Sequence, residues 1–181
     1  NEEEFFQQLE QWNDEDEYTR CIQALNAIPE DWRNYRTSYA FARALENYAI
    51  IGDHDEGTPN YKGDKALRRA IEALESVRQE GQDKSQWNMR MAYAYQYLYG
   101  QEEKAIPYAQ RWAELDPEDE DAPAVIQACQ EEIAKRAEAE AEDESDHTGV
   151  FTGFVLLSKG EWDKEQFIRD MKEKWDITVD E

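Results

Sequence analysis

The chain has 181 residues, a formal net charge of −23, 40% hydrophobic residues and a mean hydropathy of −1.02. This composition argues against binding to nucleic acid or to an anionic membrane surface, because both require a basic protein surface. No apolar run approaches the length that crosses a bilayer. The acidic residues concentrate in residues 1–17 and 118–146, which we interpret as the solvated ends of a helical domain.

Apolar residues recur at spacings of three and four in seven stretches, which is the periodicity of amphipathic helices. We predict helices over residues 2–12, 16–28, 32–51, 64–79, 85–98, 105–115 and 120–142. Between the third and fourth helices, residues 52–63 form a longer polar insertion with glycine and proline. Cys21 and Cys129 fall on apolar stripes, so we expect buried free thiols and a reducing, cytoplasmic location.

The clearest unit is residues 85–117, two predicted helices that are joined by a sharp turn at Gly100. Part of this unit resembles the second half of a tetratricopeptide repeat, a helical hairpin of about 34 residues. The residues that carry the resemblance are Gly100, Ala105, Ala109, Leu115, Asp116 and Pro117. The resemblance implies that residues 1–142 form a mainly α, tetratricopeptide-like stack of about seven helices, in which neighbouring hairpins bury each other's apolar faces.

Residues 39–48 of the third predicted helix can be laid over residues 89–98 of the fifth. This alignment places two alanines of each helix at equivalent positions, Ala42 with Ala92 and Ala44 with Ala94. Because alanine presents little side chain to a neighbouring helix, we expect all four alanines to be buried where helices cross closely.

The composition changes after the acidic residues 143–149, which we interpret as a linker. Residues 150–157 are an almost continuous apolar run rich in β-formers, and they predict a strand covered on both faces. A helix is predicted from Asp163, and a second strand begins near the end of the chain. This incomplete β-α(-β) segment, residues 150–181, is similar to the start of an uncharacterised domain that follows such repeats in some bacterial proteins. Because an apolar strand edge recruits another strand, we expect a homodimer through residues 150–179.

No residue pattern in the chain indicates a catalytic or metal site. The acids of the insertion lack the glycine that a calcium loop carries at its sixth position, where Thr58 stands. His54 and His147 have no second metal ligand at a suitable spacing, and neither cysteine has a sequence neighbour that indicates an activated nucleophile. We therefore expect no metal, no cofactor and no enzymatic site within these residues.

The expected function is the binding of a protein or peptide partner. In the repeat architecture that the resemblance implies, the first helix of each hairpin lines a concave groove. The groove residues are then Arg36, Tyr39, Arg43 and Asn47 from one helix and Met89, Arg90, Tyr93, Gln96 and Tyr97 from the next. Arginine and tyrosine suit a peptide with acidic groups, because arginine makes forked hydrogen bonds to carboxylate.

Two alternatives stay open from the residues alone. The groove arginines can instead pair with neighbouring acids of the same chain, and some tyrosines can fill the space between hairpins. At the level of the whole protein, the alternative is the regulatory or scaffolding N-terminal part of a larger enzyme, whose catalytic site lies beyond residue 181.

Overall fold

The computed structural model describes the backbone of residues 1–52 and 61–158, together with residues 165 and 169, and side chains for residues 1–52, 63–142, 165 and 169. These residues form eight α-helices, one 3-10 helix and no strand, so the mainly α prediction is confirmed for this part of the chain. The α-helices are α1 (Glu2–Asp14), α2 (Tyr18–Asn26), α3 (Tyr35–Ile50), α4 (Tyr61–Glu75), α5 (Arg78–Gly81), α6 (Ser85–Gln96), α7 (Glu102–Leu115) and α8 (Asp121–Ser158). The 3-10 helix is Glu30–Trp32.

Asparagine caps fix the starts of the two helices that carry the candidate site, α1 and α3. The side chain of Asn1 accepts a hydrogen bond from the Glu4 N–H at 2.9 Å, and Asn34 accepts from the Thr37 N–H at 3.0 Å. In both helices the backbone nitrogen of the cap residue donates a hydrogen bond to the side chain of the third helical residue, Glu4 or Thr37, which completes a capping box. Each cap satisfies N–H groups that have no partner within the helix, so the helix start is well defined.

The helices pack as hairpins, α1 with α2, α3 with α4, and α6 with α7, and each hairpin contacts the next. One apolar core joins α1, α2, α3, α4 and α6. A second core joins α6, α7 and the start of α8. The buried members of this second core are Ala92, Ala105, Ala109, Trp112, Ala122, Val125 and Cys129. Residues 1–133 are therefore a stack of helical hairpins, and the start of α8 covers the last of them.

The alignment of the third and fifth predicted helices is supported by their burial. Buried and half-buried positions follow the same order in residues 37–44 of α3 and residues 87–94 of α6. The four aligned alanines, Ala42, Ala44, Ala92 and Ala94, are each 0% exposed, as predicted. The two helices thus occupy equivalent places in successive hairpins.

The burial of Ala92 provides a direct test of this packing. Ala92→Leu adds three carbons at a position with no exposed surface, so we expect the free energy of unfolding to fall by about 1–3 kcal/mol. Ala124→Leu on α8 is the matched control, because Ala124 is exposed and receives the same added atoms. Urea denaturation compares the two variants, and equal unfolding free energies would contradict close packing at Ala92.

The helix that the sequence predicts over residues 64–79 is divided in the structure. Helix α4 ends at Glu75, and Val77 leaves the helical region with a φ of −121° before α5 begins. At the end of α5, Gly81 lies against the indole of Trp87, so closely that an added Cβ would meet Trp87 Cδ1 at 2.2 Å. The break in the helix therefore lets the backbone of Gly81 pack directly against the ring of Trp87 in α6.

The predicted strand at residues 150–157 is wrong, because these residues are the last turns of α8. A short apolar run does not by itself distinguish a strand from a helical segment. The preceding residues 134–142 are mostly alanine, glutamate, lysine and arginine, which are strong helix formers, so a helix already begun there propagates into the apolar run. We predicted a dimer through residues 150–179 because a strand in this run would expose an edge. Since residues 150–157 are helical, they provide no such edge.

The acidic residues 143–149, which we interpreted as a linker, also have helical backbone within α8. Contacts divide the chain into two compact units, Asn1–Ile133 and Ala134–Glu181. The domain limit near residue 142 stays a prediction. Residues 53–60 of the insertion, and the predicted second strand near the end of the chain, lie outside the described residues. So does the helix predicted from Asp163, except for two exposed helical residues, Glu165 and Arg169.

Candidate interaction surface

The predicted groove residues of α3 lie on the side of that helix that faces α1. Arg36, Tyr39 and Arg43 line a cleft of about 250 Å³ between the two helices, which we call the α1–α3 cleft. Asn47 continues the row, and its Nδ2 donates to Asn13 Oδ1 at 3.3 Å. The spacing of three and four residues places these side chains on one stripe of α3. The wall that α1 contributes consists of Glu3, Phe6, Gln7, Leu9, Glu10 and Asn13.

Both arginines of the α1–α3 cleft pair with acids of α1. Arg43 Nη1 donates to the two carboxylate oxygens of Glu10 at 2.7 and 2.9 Å. Arg36 Nη2 donates to Glu3 at 3.2 Å, and its guanidinium carbon lies 3.8 Å from the centre of the Phe6 ring. The side chains of Glu3 and Glu10 are 64% and 60% exposed. Because exposed ion pairs contribute about 0–1 kcal/mol, both arginines can exchange their partner at little cost.

Arg90 of α6 contacts Tyr39 of the α3 row, but unlike Arg36 and Arg43 it pairs with a buried acid. Its Nη1 donates to Glu46 Oε2 at 3.2 Å, and its Nε donates to the Tyr39 hydroxyl at 3.5 Å. The Glu46 side chain is 1% exposed and that of Arg90 16%, so this pair is inside the protein. Burial raises the pKa of the Glu46 carboxyl to about 8, because the loss of hydration outweighs the attraction of Arg90. Among the described residues, Glu46 Oε1 has no hydrogen-bond partner.

The other predicted residues of α6 lie away from the α1–α3 cleft. Met89 and Tyr93 pack against the second core, where the Tyr93 ring centre lies 5.6 Å from that of Trp112. Gln96 is half-buried, and Tyr97 is half-exposed just after the end of α6. The structure therefore brings the four α3 residues and Arg90 together, and it leaves the remaining α6 residues on other surfaces.

The sequence analysis left open that the groove arginines pair with acids of the same chain, as they do in the structure, but it did not identify those acids. Glu3 and Glu10 face Arg36 and Arg43, and both pairs are separated by 33 residues in the chain. Because both pairs have the same separation, the equal spacing of opposite charges along the chain was an available signal. Glu46 carries no such signal, because its partner lies 44 residues away in a hairpin of different length.

The described residues contain no group of three or more histidine, cysteine, aspartate or glutamate side chains that could hold a metal ion. Cys21 and Cys129 are buried free thiols, as predicted, and burial raises the pKa of both, which is the opposite of nucleophile activation. No described helix combines the length and the apolar composition that a bilayer span requires.

The chain was also compared with known proteins. No family model, no curated protein and no solved structure matches it. The structure itself shows a chain whose described residues are mainly helical and whose first unit, Asn1–Ile133, is a stack of packed hairpins.

Proposed function

We propose that the chain is a non-enzymatic interaction module of the tetratricopeptide-like class, and that it binds a peptide segment of a partner protein in the α1–α3 cleft. The observation that carries this proposal is the row of Arg36, Tyr39 and Arg43 along one wall of an open cleft. Arginine and tyrosine are the residue types that most often dominate the binding energy of protein interfaces. The acids that pair with both arginines are exposed, and the Arg36 and Arg43 side chains are themselves 48% and 28% exposed, so a partner can reach them.

The proposed partner segment carries acidic side chains. A carboxylate of the partner replaces Glu3 or Glu10 as the acceptor of an arginine, and the released glutamate returns to water with little change in its exposure. Tyr39 lies between the arginines with its ring stacked on Tyr35 at a centre distance of 6.0 Å. It therefore offers a rigid apolar surface and a hydroxyl at low entropic cost.

An array of short peptides, with and without aspartate and glutamate, tests this proposal through fluorescence anisotropy. Arg43→Glu is expected to weaken the binding of acidic peptides by about tenfold, because it replaces an attraction by a repulsion, and the loss should shrink at high salt. The matched control is Arg20→Glu, the same charge change on α2, where Arg20 pairs with Glu17 at the surface. Equal losses for both variants, or affinities that ignore both, would contradict the proposal.

A further inference from the structure

A second cleft, of about 220 Å³, opens where α2, α3 and α4 meet, and we call it the α2–α4 cleft. None of its lining residues belongs to the α1–α3 cleft. The polar side chains that line it include Asn26, Arg33, Ser38, Arg69, Glu72 and Ser76. Two positive charges therefore face one small concave space in a strongly acidic chain.

These two arginines differ from those of the α1–α3 cleft because they have no carboxylate partner. Among the described residues, no acidic oxygen lies within 4.0 Å of a nitrogen of Arg33 or Arg69. The chain has 43 acidic residues and 20 basic ones, so most arginines find an acid nearby. Glu72 is the one acidic residue among the described residues that line the α2–α4 cleft, and it forms no ion pair with either arginine, so the cleft keeps a positive charge that a ligand can neutralise.

Both guanidinium groups are nevertheless held in place by uncharged groups. Arg69 Nη2 donates to Asn26 Oδ1 at 3.0 Å, and its guanidinium carbon lies 5.2 Å from the centre of the Phe41 ring. Arg33 Nε donates to the carbonyl oxygen of Ile28 at 3.4 Å. Each hydrogen bond uses one of the five N–H donors of a guanidinium, so several donors remain. Because the two contacts of Arg69 already orient its side chain, binding costs this arginine less conformational entropy.

The first turn of α3 adds to the attraction for a negative group. Ser38, which lines the cleft, is 6% exposed and contributes a hydroxyl donor. The N-terminal end of this 16-residue helix carries a partial positive charge. Glu72 opposes these groups from an exposed position in the lining. Guanidinium and hydroxyl donors, together with the partial positive charge of a helix end, suit phosphate and carboxylate oxygens.

We propose that the α2–α4 cleft binds an oxyanionic group, a phosphate or a carboxylate, through Arg33 and Arg69. This site goes beyond the proposed peptide binding, because it uses different residues and a different set of helices. The cleft volume accommodates the anionic group together with a small part of the molecule that carries it. Binding depends on the local arginines and occurs in spite of the negative charge of the whole chain.

Inorganic phosphate and acetate are the probes, each titrated at low ionic strength into the isotopically labelled full chain and followed by two-dimensional NMR. We expect saturable shifts at the amides of residues 33–38 and at Arg69. Stronger binding of phosphate identifies a phosphate-bearing ligand, and stronger binding of acetate a carboxylate. Arg69→Gln is expected to weaken the binding by about tenfold. Arg68→Gln makes the same charge change at the adjacent exposed position, so it should change the affinity by less than about twofold.

Glu72→Gln is a second variant, for which the expected change in affinity is an increase instead of a decrease. It removes the opposing carboxylate from the lining, so the affinity for phosphate or acetate should increase, and a gain of binding cannot result from misfolding. Shifts that do not saturate would overturn the proposal. So would an equal loss in Arg68→Gln and Arg69→Gln, or an affinity that Glu72→Gln leaves unchanged or weaker.

Discussion

Gly81→Ala is expected to lower the free energy of unfolding by about 3 kcal/mol, at the upper end of the usual cost of overpacking. A Cβ at this position would lie 2.2 Å from Cδ1 and 2.4 Å from Cγ of Trp87. Real Cβ atoms essentially never approach other heavy atoms within 3.0 Å, so either the indole or the backbone of α5 has to move. The helix-forming preference of alanine over glycine offsets only about 1 kcal/mol of this cost.

Trp87 cannot move without further loss. It is 1% exposed, its Nε1 donates to the carbonyl oxygen of Leu74 at 3.0 Å, and its ring meets that of Tyr108 edge-on at a centre distance of 5.8 Å. Displacing the indole breaks a buried hydrogen bond and leaves a polar group unsatisfied. The strain of Gly81→Ala is therefore transmitted into the core between α4, α6 and α7.

Thermal denaturation measures this effect, and a midpoint lower by about 6–12 °C is expected for a chain of this size. Gly100→Ala is the matched control, because Gly100 has a φ of +77° but nothing within 4 Å of an added Cβ. Its cost comes only from the left-handed backbone and is about 1 kcal/mol. If the two variants lose the same stability, the contact with Trp87 is not the cause.

Stability should also fall as the pH rises from about 5 to 8, and Glu46 should be a main cause. Burial raises the pKa of this carboxyl to about 8 in the folded protein, whereas the ordinary value is 4.5. The folded state therefore binds more protons than the unfolded chain between these values, so the free energy of unfolding decreases with pH. The stabilisation that this raised pKa gives the folded protein is complete below pH 4.5 and is lost as the pH rises through 8. Between these values the free energy of unfolding falls by at most about 1.4 kcal/mol per pH unit.

Glu46→Gln isolates this contribution, because an amide keeps the shape and an acceptor for Arg90 but releases no proton. The variant should have a flatter pH profile than the parent and a higher unfolding free energy at about pH 8. Urea denaturation of both proteins at several pH values measures the difference between their unfolding free energies. The exposed carboxylates are the same in both proteins, so their effect drops out of this difference. Parallel profiles would show that Glu46 titrates in the same way in the folded and unfolded states.

The parts of the fold that repeat along the chain were predictable from the sequence. The equivalence of Ala42 and Ala92 follows from matching small residues at matching places in two helical stripes, and both alanines are buried. Local periodicity also placed α1, α2, α3, α6 and α7 within a few residues of their observed bounds. These features depend on residues close in sequence, which is where pattern analysis is strongest.

The parts that depend on distant partners were not predictable. Glu46 lies four residues after Ala42 and three before Ala49, so spacing placed it on the buried stripe of α3, but its partner Arg90 in the next hairpin could not be read from the sequence. In the candidate site, the row of α3 could be inferred from spacing, but its acidic partners on α1 depend on how two hairpins lie against each other. The strand at residues 150–157 failed for a related reason, because an apolar run is compatible with helix or strand until its neighbours decide.

Two different forces attach α1 to the stack. Towards α3, it is joined by the exposed pairs of Glu3 with Arg36 and Glu10 with Arg43. Its apolar side chains, among them Leu9, lie in a core that also contains residues of α2. Salt screens the ionic contacts but does not weaken the apolar ones. A rise in ionic strength should therefore weaken the ionic part of the attachment of α1 to α3 and leave the apolar part, which includes Phe6 and Leu9, in place.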